Sequence, residues 1–215
     1  MATAYSDQFQ SLIADVMSVT NRTKLSAETE YALRFAIQRE HNADDYPSDL
    51  EPAIGLTPIV ISDVYYRYAI SIPANLVGFR KVATVAETVA GDTPAWFGSN
   101  AVAGSDYKLV TPSRTRDSYG VEISKYYLVA GQFINIKSNH TVGAFNVPYY
   151  KTPVLTNAGL ASYADWLADR YSYLIVNAAA SEVFKMIGKD DEAAKYRAML
   201  PEIRLDVTKG EIGAI

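Results

Sequence analysis

Tyr65-Tyr66-Arg67-Tyr68-Ala69-Ile70-Ser71-Ile72-Pro73 is the stretch on which the fold class turns. Tyr66, Tyr68, Ile70 and Ile72 alternate with Tyr65, Arg67, Ala69 and Ser71, which is the period of a strand with one buried face, and Pro73 closes it. Hydrophobic spacing is helical before this region and helical again after about Lys151. The chain therefore reads as α+β. N-terminal helices and a long C-terminal helix pack as a helical part, with an antiparallel β-meander or sandwich between them and an extended C-terminal tail.

Upstream, Leu12, Ile13, Val16 and Met17 form an apolar stripe after the cap candidate Asp7, closed by Asn21. A second helix starts at the cap candidate Ser26, carries Glu28 and Glu30 at its positive end, and is expected to bury Tyr31, Ala32 or Leu33, Phe35 and Ala36 before ending near His41. Residues 42–51, with Pro47 and a run of acids, read as a solvated polar connection. The expected divisions are 1–52 for the N-terminal helices and 53–152 for the β domain. C-terminal helices over 157–204 pack with 1–52, and 205–215 form the tail.

Within the β region, Leu76 to Val85 continues as a strand, and Val121 to Val129 and Phe133 to Lys137 flank a hairpin turn at Ala130-Gly131-Gln132. Val142 to Tyr150 follows, with Pro148 pushing its far end toward an edge or bulge. Over 87–119 the alternation fails. That long loop carries Trp96-Phe97, a pair that packs either on its own sheet or on a partner. Past Thr152-Pro153 and the cap candidate Asn157, the residues Leu160, Tyr163, Trp166, Leu167, Tyr171, Leu174, Ile175, Ala178, Val183, Phe184 and Ile187 form one broad helical face ending at Gly188. Asp190 caps a further short helix that Pro201 limits, and the residues after Asp206 show no period.

With 215 residues, 49% of them hydrophobic, the chain can bury a core, and an ordered protein is expected. It has no cysteine, which removes disulfides, thiolate metal sites and thiol catalysis. A net charge of −4 without a basic run argues against holding nucleic acid by its phosphates. Asp7 precedes the first base, Arg22, so no secretory leader is expected, and no apolar run is long enough for a membrane span; a soluble protein is expected. His41 and His140 lie far apart, and the acids after His41 (Asp44, Asp45, Asp49 and Glu51) miss the calcium-loop register. Phosphate-binding glycine motifs, the Gly-x-Ser-x-Gly elbow and His-Glu-x-x-His are all missing from the sequence, so no catalytic residue, metal ligand or cofactor is assigned.

The order of elements is more distinctive than any motif. Tyr68-Ala-Ile70-Ser-Ile72-Pro73 is followed by Lys125-Tyr126-Tyr127-Leu-Val-Ala-Gly131-Gln-Phe-Ile134-Asn-Ile136 and by Tyr149-Tyr150-Lys151-Thr-Pro153-Val-Leu155-Thr156. Trp166-Leu167-Ala-Asp-Arg170-Tyr171 comes next, then Ala178-Ala-Ala-Ser-Glu182-Val-Phe184 through Lys189-Asp-Asp191-Glu-Ala-Ala194-Lys195-Tyr196. This series resembles the head-to-tail adaptor (connector) proteins of tailed bacteriophages, of the short-tailed type. The resemblance implies a structural virion protein without an active site, assembled in the host cytoplasm and seated in the neck as a ring of about twelve copies under the portal. Its implied partners are other copies of itself, the portal, a downstream tail or nozzle protein, and DNA that passes through the lumen without sequence-specific binding. An acidic conduit would repel the phosphate backbone, so that DNA slides through it. The tail, through Thr208, Gly210, Ile212 and Ile215, is the expected portal-binding segment.

The tyrosines fit such an assembly. There are 16 against 7 phenylalanines, and six stand as the pairs Tyr65-Tyr66, Tyr126-Tyr127 and Tyr149-Tyr150. In a strand each pair is expected to point one ring inward and one outward, with Tyr65 the outward member of its pair, so Tyr65, Trp96 and Phe97 are candidate subunit or tail contacts. Other classes compatible with the same residues are a carbohydrate- or peptide-binding β module with a tyrosine platform and, less favoured, a glycoside hydrolase with scattered carboxylates.

Overall fold

The computed structural model describes residues 5–53, 55–61, 67–72, 76, 78–87, 107–111, 125–138 and 141–213. The chain is α+β and divides into two compact units, one built from both ends of the chain (1–49 and 152–215) and one from its middle (50–151).

In the helical unit, α1 (Asp7–Thr20) starts where the Ser6 hydroxyl accepts the Phe9 N–H at 3.3 Å. It buries Phe9, Leu12, Val16 and Thr20 along one face and ends at Asn21, which takes the left-handed conformation at φ 53°. Helix α2 (Ser26–His41) has no side-chain cap: Leu25 holds the cap position and Ser26 is already helical. Its buried face is Thr29, Ala32, Leu33, Ala36, Ile37 and Glu40, so the expectation that Tyr31 and Phe35 are core is overturned. Both lie half a turn from that face, at 65% and 45% exposure.

The single long helix expected from Asn157 onward is three: α3 (Asn157–Leu160), α4 (Trp166–Arg170) and α5 (Ser172–Met186). Asp165 leaves the helix to cap α4, accepting the Leu167 N–H at 3.2 Å, and Tyr171 at φ −135° breaks it again. Gly188 ends α5 as its position predicts, at φ 71°, with the Lys189 N–H reaching the Phe184 carbonyl at 2.9 Å. Ala178, Ala179 and Ala180, on successive sides of α5, are all fully buried, and Ser181 Oγ donates to the Ala193 carbonyl at 3.2 Å.

The extended tail is also corrected. Helix α6 runs from Asp190 to Gly213 and passes straight through Pro201. An interior proline removes one helical hydrogen bond and costs about 3 kcal/mol. Against that, Val207 and Glu211, one turn apart, are buried together with Leu200, and this tertiary packing keeps the helix going.

In the middle unit, β1 (Leu50–Glu51), β10 (Tyr149–Lys151) and β4 (Phe79–Val82) form one antiparallel sheet in the order β1-β10-β4. A second sheet has the order β2-β3-β8-β7-β6, made from Ile59–Val60, Tyr68–Ser71, Phe133–Lys137, Tyr126–Ala130 and Lys108–Leu109 respectively. Strands β5 (Ala86–Glu87) and β9 (Phe145–Asn146) pair separately. Antiparallel pairing predominates, but β6 and β7 are parallel, and among the described residues the strands form three sheets, not one meander. The β7–β8 hairpin turns where expected, with Ala130 opposite Phe133 and Gly131 at φ 58°. Tyr68, Ile70, Ile72, Ile134, Ile136 and Phe145 sit at the centre of this unit's core, as the alternation from Tyr68 onward implies.

The tyrosine pairs behave differently from one another. Tyr126 and Tyr127 are both buried: Tyr127 enters the core, and Tyr126, on the opposite face of β7, has the Lys137 ammonium 5.8 Å from its ring centroid. Tyr149 is buried beside Phe79, whereas Tyr150 is half-buried beneath Arg80 and Lys81, at 5.2 and 5.9 Å from its ring. The rule of one ring in and one out thus fails for the first of these pairs, and the two pairs lie in different sheets. Tyr65 and Tyr66 lie outside the described residues.

Candidate functional site

The most concentrated chemistry among the described residues is a buried polar cluster in the helical unit, where three segments converge. These are the end of α2, the 3-10 turn Pro47–Asp49 and the Asp165 break before α4. His41 is 1% exposed, with Nδ1 2.8 Å from Asp49 Oδ1 and Nε2 3.0 Å from Asp165 Oδ2. Trp166 Nε1 donates to Asp49 Oδ1 at 2.7 Å and the Tyr163 hydroxyl donates to Asp165 Oδ2 at 2.8 Å. Gln8 of α1 fixes the backbone here, accepting the Asp165 N–H at 2.9 Å and donating to the Asp165 carbonyl at 3.1 Å. Tyr46 and His41 both pack edge-on to the Trp166 ring.

Burial alone would depress the His41 pKa, but hydrogen bonds from both carboxylates and their charges outweigh it and raise it to about 9. The ring is an imidazolium at neutral pH, each N–H donating to a carboxylate; loss of either proton would set a nitrogen lone pair against an anion. Burial, with Asp44 and Glu40 nearby, pushes Tyr46 up to about 12, and burial beside Asp165 pushes Tyr163 up as well.

A second buried charge lies next door. Glu40, fully buried, accepts two hydrogen bonds from Arg204 of α6, Nε at 2.6 Å and Nη2 at 3.0 Å, and a third from Arg39 Nε at 3.0 Å. Arg39 also reaches Glu182 of α5 at 2.7 Å. Farther along α6, Thr208 Oγ1 donates to Asp44 Oδ2 at 3.0 Å and Arg170 Nη1 pairs with buried Glu211 at 3.2 Å. At Gly210 a Cβ would fall 2.2 Å from the Tyr171 hydroxyl oxygen, so any larger residue there forces the Tyr171 ring to shift.

This geometry holds the fold together; it does not expose a reactive group. Both imidazole nitrogens are occupied, the ring has no access to solvent, and Asp49 and Asp165 are committed to it. Among the described residues no group of three or more His, Asp or Glu is placed to hold a metal ion. No helix among them is long and apolar enough to cross a membrane.

Of the residues singled out from the sequence, Thr208 and Gly210 are engaged within the helical unit, and Ile212 stands 65% exposed. Tyr65, Trp96, Phe97, Ile215 and His140 lie outside the described residues. The expectation of a wholly solvated acidic connection is corrected at Asp49: Asp44 and Asp45 are exposed, but Asp49 turns inward to His41. The cluster was missed because its members stand 8 and 124 residues from His41. An aspartate just before Trp166-Leu167, in helix-cap position, was the one available signal.

Neither a protein-family model nor a curated protein sequence matches the chain.

Proposed function

We propose that the chain is a head-to-tail adaptor of a tailed bacteriophage. About twelve copies form a ring beneath the portal, continue the DNA channel and give the downstream tail or nozzle protein a platform, with no catalytic step. The observation that carries this reading is the order of the resembling segments, each of which falls on a defined element. Residues 68–72 lie on and after β3, 125–136 across the β7–β8 hairpin, 149–156 on β10 and its exit, 166–171 on α4, and 178–196 across α5 into α6.

Exposed apolar side chains support an assembled state. In the helical unit Tyr31, Phe35, Leu205 and Ile212 face solvent, and in the β unit Ile59, Val60 and Leu109 do so on the outer strands of the five-stranded sheet. The net charge of −4 suits a lumen through which DNA slides. With Thr208 and Gly210 engaged in the unit, the C-terminal end meets a partner as a helix and not as a free peptide.

Co-sedimentation of the full chain with tail-less, portal-bearing heads tests the proposal. Saturable binding at about twelve copies per head is expected. A chain that stays monomeric and leaves the heads bare overturns it.

A further inference from the structure

Helix α6 is held by different partners on either side of Pro201. Residues 190–200 lie along α5. Ala193 is buried and its carbonyl accepts the Ser181 hydroxyl at 3.2 Å, the Tyr196 ring stacks on Phe184 with centroids 5.5 Å apart, and Arg197 comes within 3.7 Å of Glu182. Residues 202–213 are tied instead to the end of α2, to the connection after it and to α4. Arg204 donates twice to Glu40, Thr208 donates to Asp44, and Glu211 pairs with Arg170.

Between the two sets of anchors the helix's own bonding is interrupted. Pro201 has no N–H, so the Arg197 carbonyl lacks its i+4 donor, and the proline ring crowds that same carbonyl. The turn joining the halves is therefore where the backbone resists bending least. Closure of residues 202–213 is also mostly polar. Val207 and Glu211 are the only buried side chains in that half and Ile203 is half-buried, whereas Glu202, Leu205, Asp206, Lys209 and Ile212 are exposed. On opening, Arg204, Thr208 and Glu211 exchange a protein partner for water, and little apolar surface is uncovered. Glu40 still has Arg39, 3.0 Å away, so no buried carboxylate is left alone. The hydrogen bonds donated by amides 205–213 all end within residues 201–209, so this half can leave as an intact helix.

We propose that α6 is a hinged strap: residues 202–213 open and close as one helical body on Pro201, over Glu40 and Asp44, while residues 190–200 stay on α5. The strap is a property of a single copy and stands whether or not copies close into a ring.

Amide hydrogen exchange on the full chain tests it. Residues 205–213 are expected to share one level of protection, lower by at least about tenfold than that of residues 194–200. Pro201→Ala restores the missing N–H and is expected to close most of that gap. Arg204→Gln is expected to speed exchange of residues 205–213 and leave residues 194–200 unchanged. Protection that falls off residue by residue toward Gly213 is end fraying and would overturn the strap. Equal protection of the two halves in the wild-type chain, a gap that Pro201→Ala leaves in place, or a matched loss in both halves on Arg204→Gln would overturn it as well.

Discussion

The helical unit and the β unit solve the same problem of burial with different chemistry. Of the buried polar side chains among the described residues, Thr20, Thr29, Glu40, His41, Asp49, Asp165, Ser181 and Glu211 belong to the helical unit and only Ser138 to the β unit. The β core is apolar with tyrosines, whose hydroxyls find partners within the same unit: Tyr68 accepts the Val142 N–H at 2.9 Å, and Tyr107 donates to Glu87 at 2.7 Å. The contrast follows from how distant segments are joined. The β unit joins residues as far apart as Leu50 and Tyr150 through backbone ladders, whereas the helical unit has no ladder between its helices, and pairs such as His41–Asp165 and Glu40–Arg204 favour one arrangement of them. Apolar helix faces alone can slide or rotate against each other; a buried ion pair out of register is left uncompensated.

The largest expected effect tests that contrast directly. Asp165→Ala removes one of the two carboxylates from a buried imidazolium and should cost about 3–5 kcal/mol. Urea unfolding followed by helical circular dichroism should show the loss, while the β-unit signal stays within about 0.5 kcal/mol, the scatter between independent sites. Equal destabilisation of both units would break the comparison.

The second concerns pH. His41 has a folded pKa of about 9 against an ordinary value of 6.5, so its contribution is complete below pH 6.5 and is lost as pH rises through 9. About 3 kcal/mol of helical-unit stability should disappear between those values. His41→Gln should flatten the profile, and an unchanged slope in that variant would assign the effect to other groups.

A third sharpens the role of α6. Gly210→Ala should cost about 1–3 kcal/mol by driving a methyl into the Tyr171 hydroxyl, and Tyr171→Phe in the same chain should recover most of it. Additive losses would show that the closeness at Gly210 is not what fixes the helix. The smallest effect belongs to the β unit: Ile134→Val, at a fully buried position, should cost about 1 kcal/mol and leave the helical transition where it was.

The same contrast decides how much could be read from the chain. Tyr68, Ile70, Ile72 and the Gly131 turn were legible because alternation and a positive φ are local properties. Gly188 and Asn21 were legible as helix ends for the same reason. Tyr31 and Phe35 were misread because apolar residues four apart look like a core stripe whichever face is buried; only the packing of Leu33 and Ile37 decides it. The helix through Pro201 was hidden because the local penalty is overridden by Val207, Glu211 and the Arg204–Glu40 pair, none of which shows as a local pattern. The His41 cluster was invisible for the same reason of distance along the chain.

The adaptor reading proposed above requires copies of the chain to close into a ring. Native mass spectrometry of the full chain assembled on isolated portal tests it most directly. A single discrete species with a fixed number of copies, about twelve, is predicted. A monomer, or an open ladder of species that never closes, would contradict it.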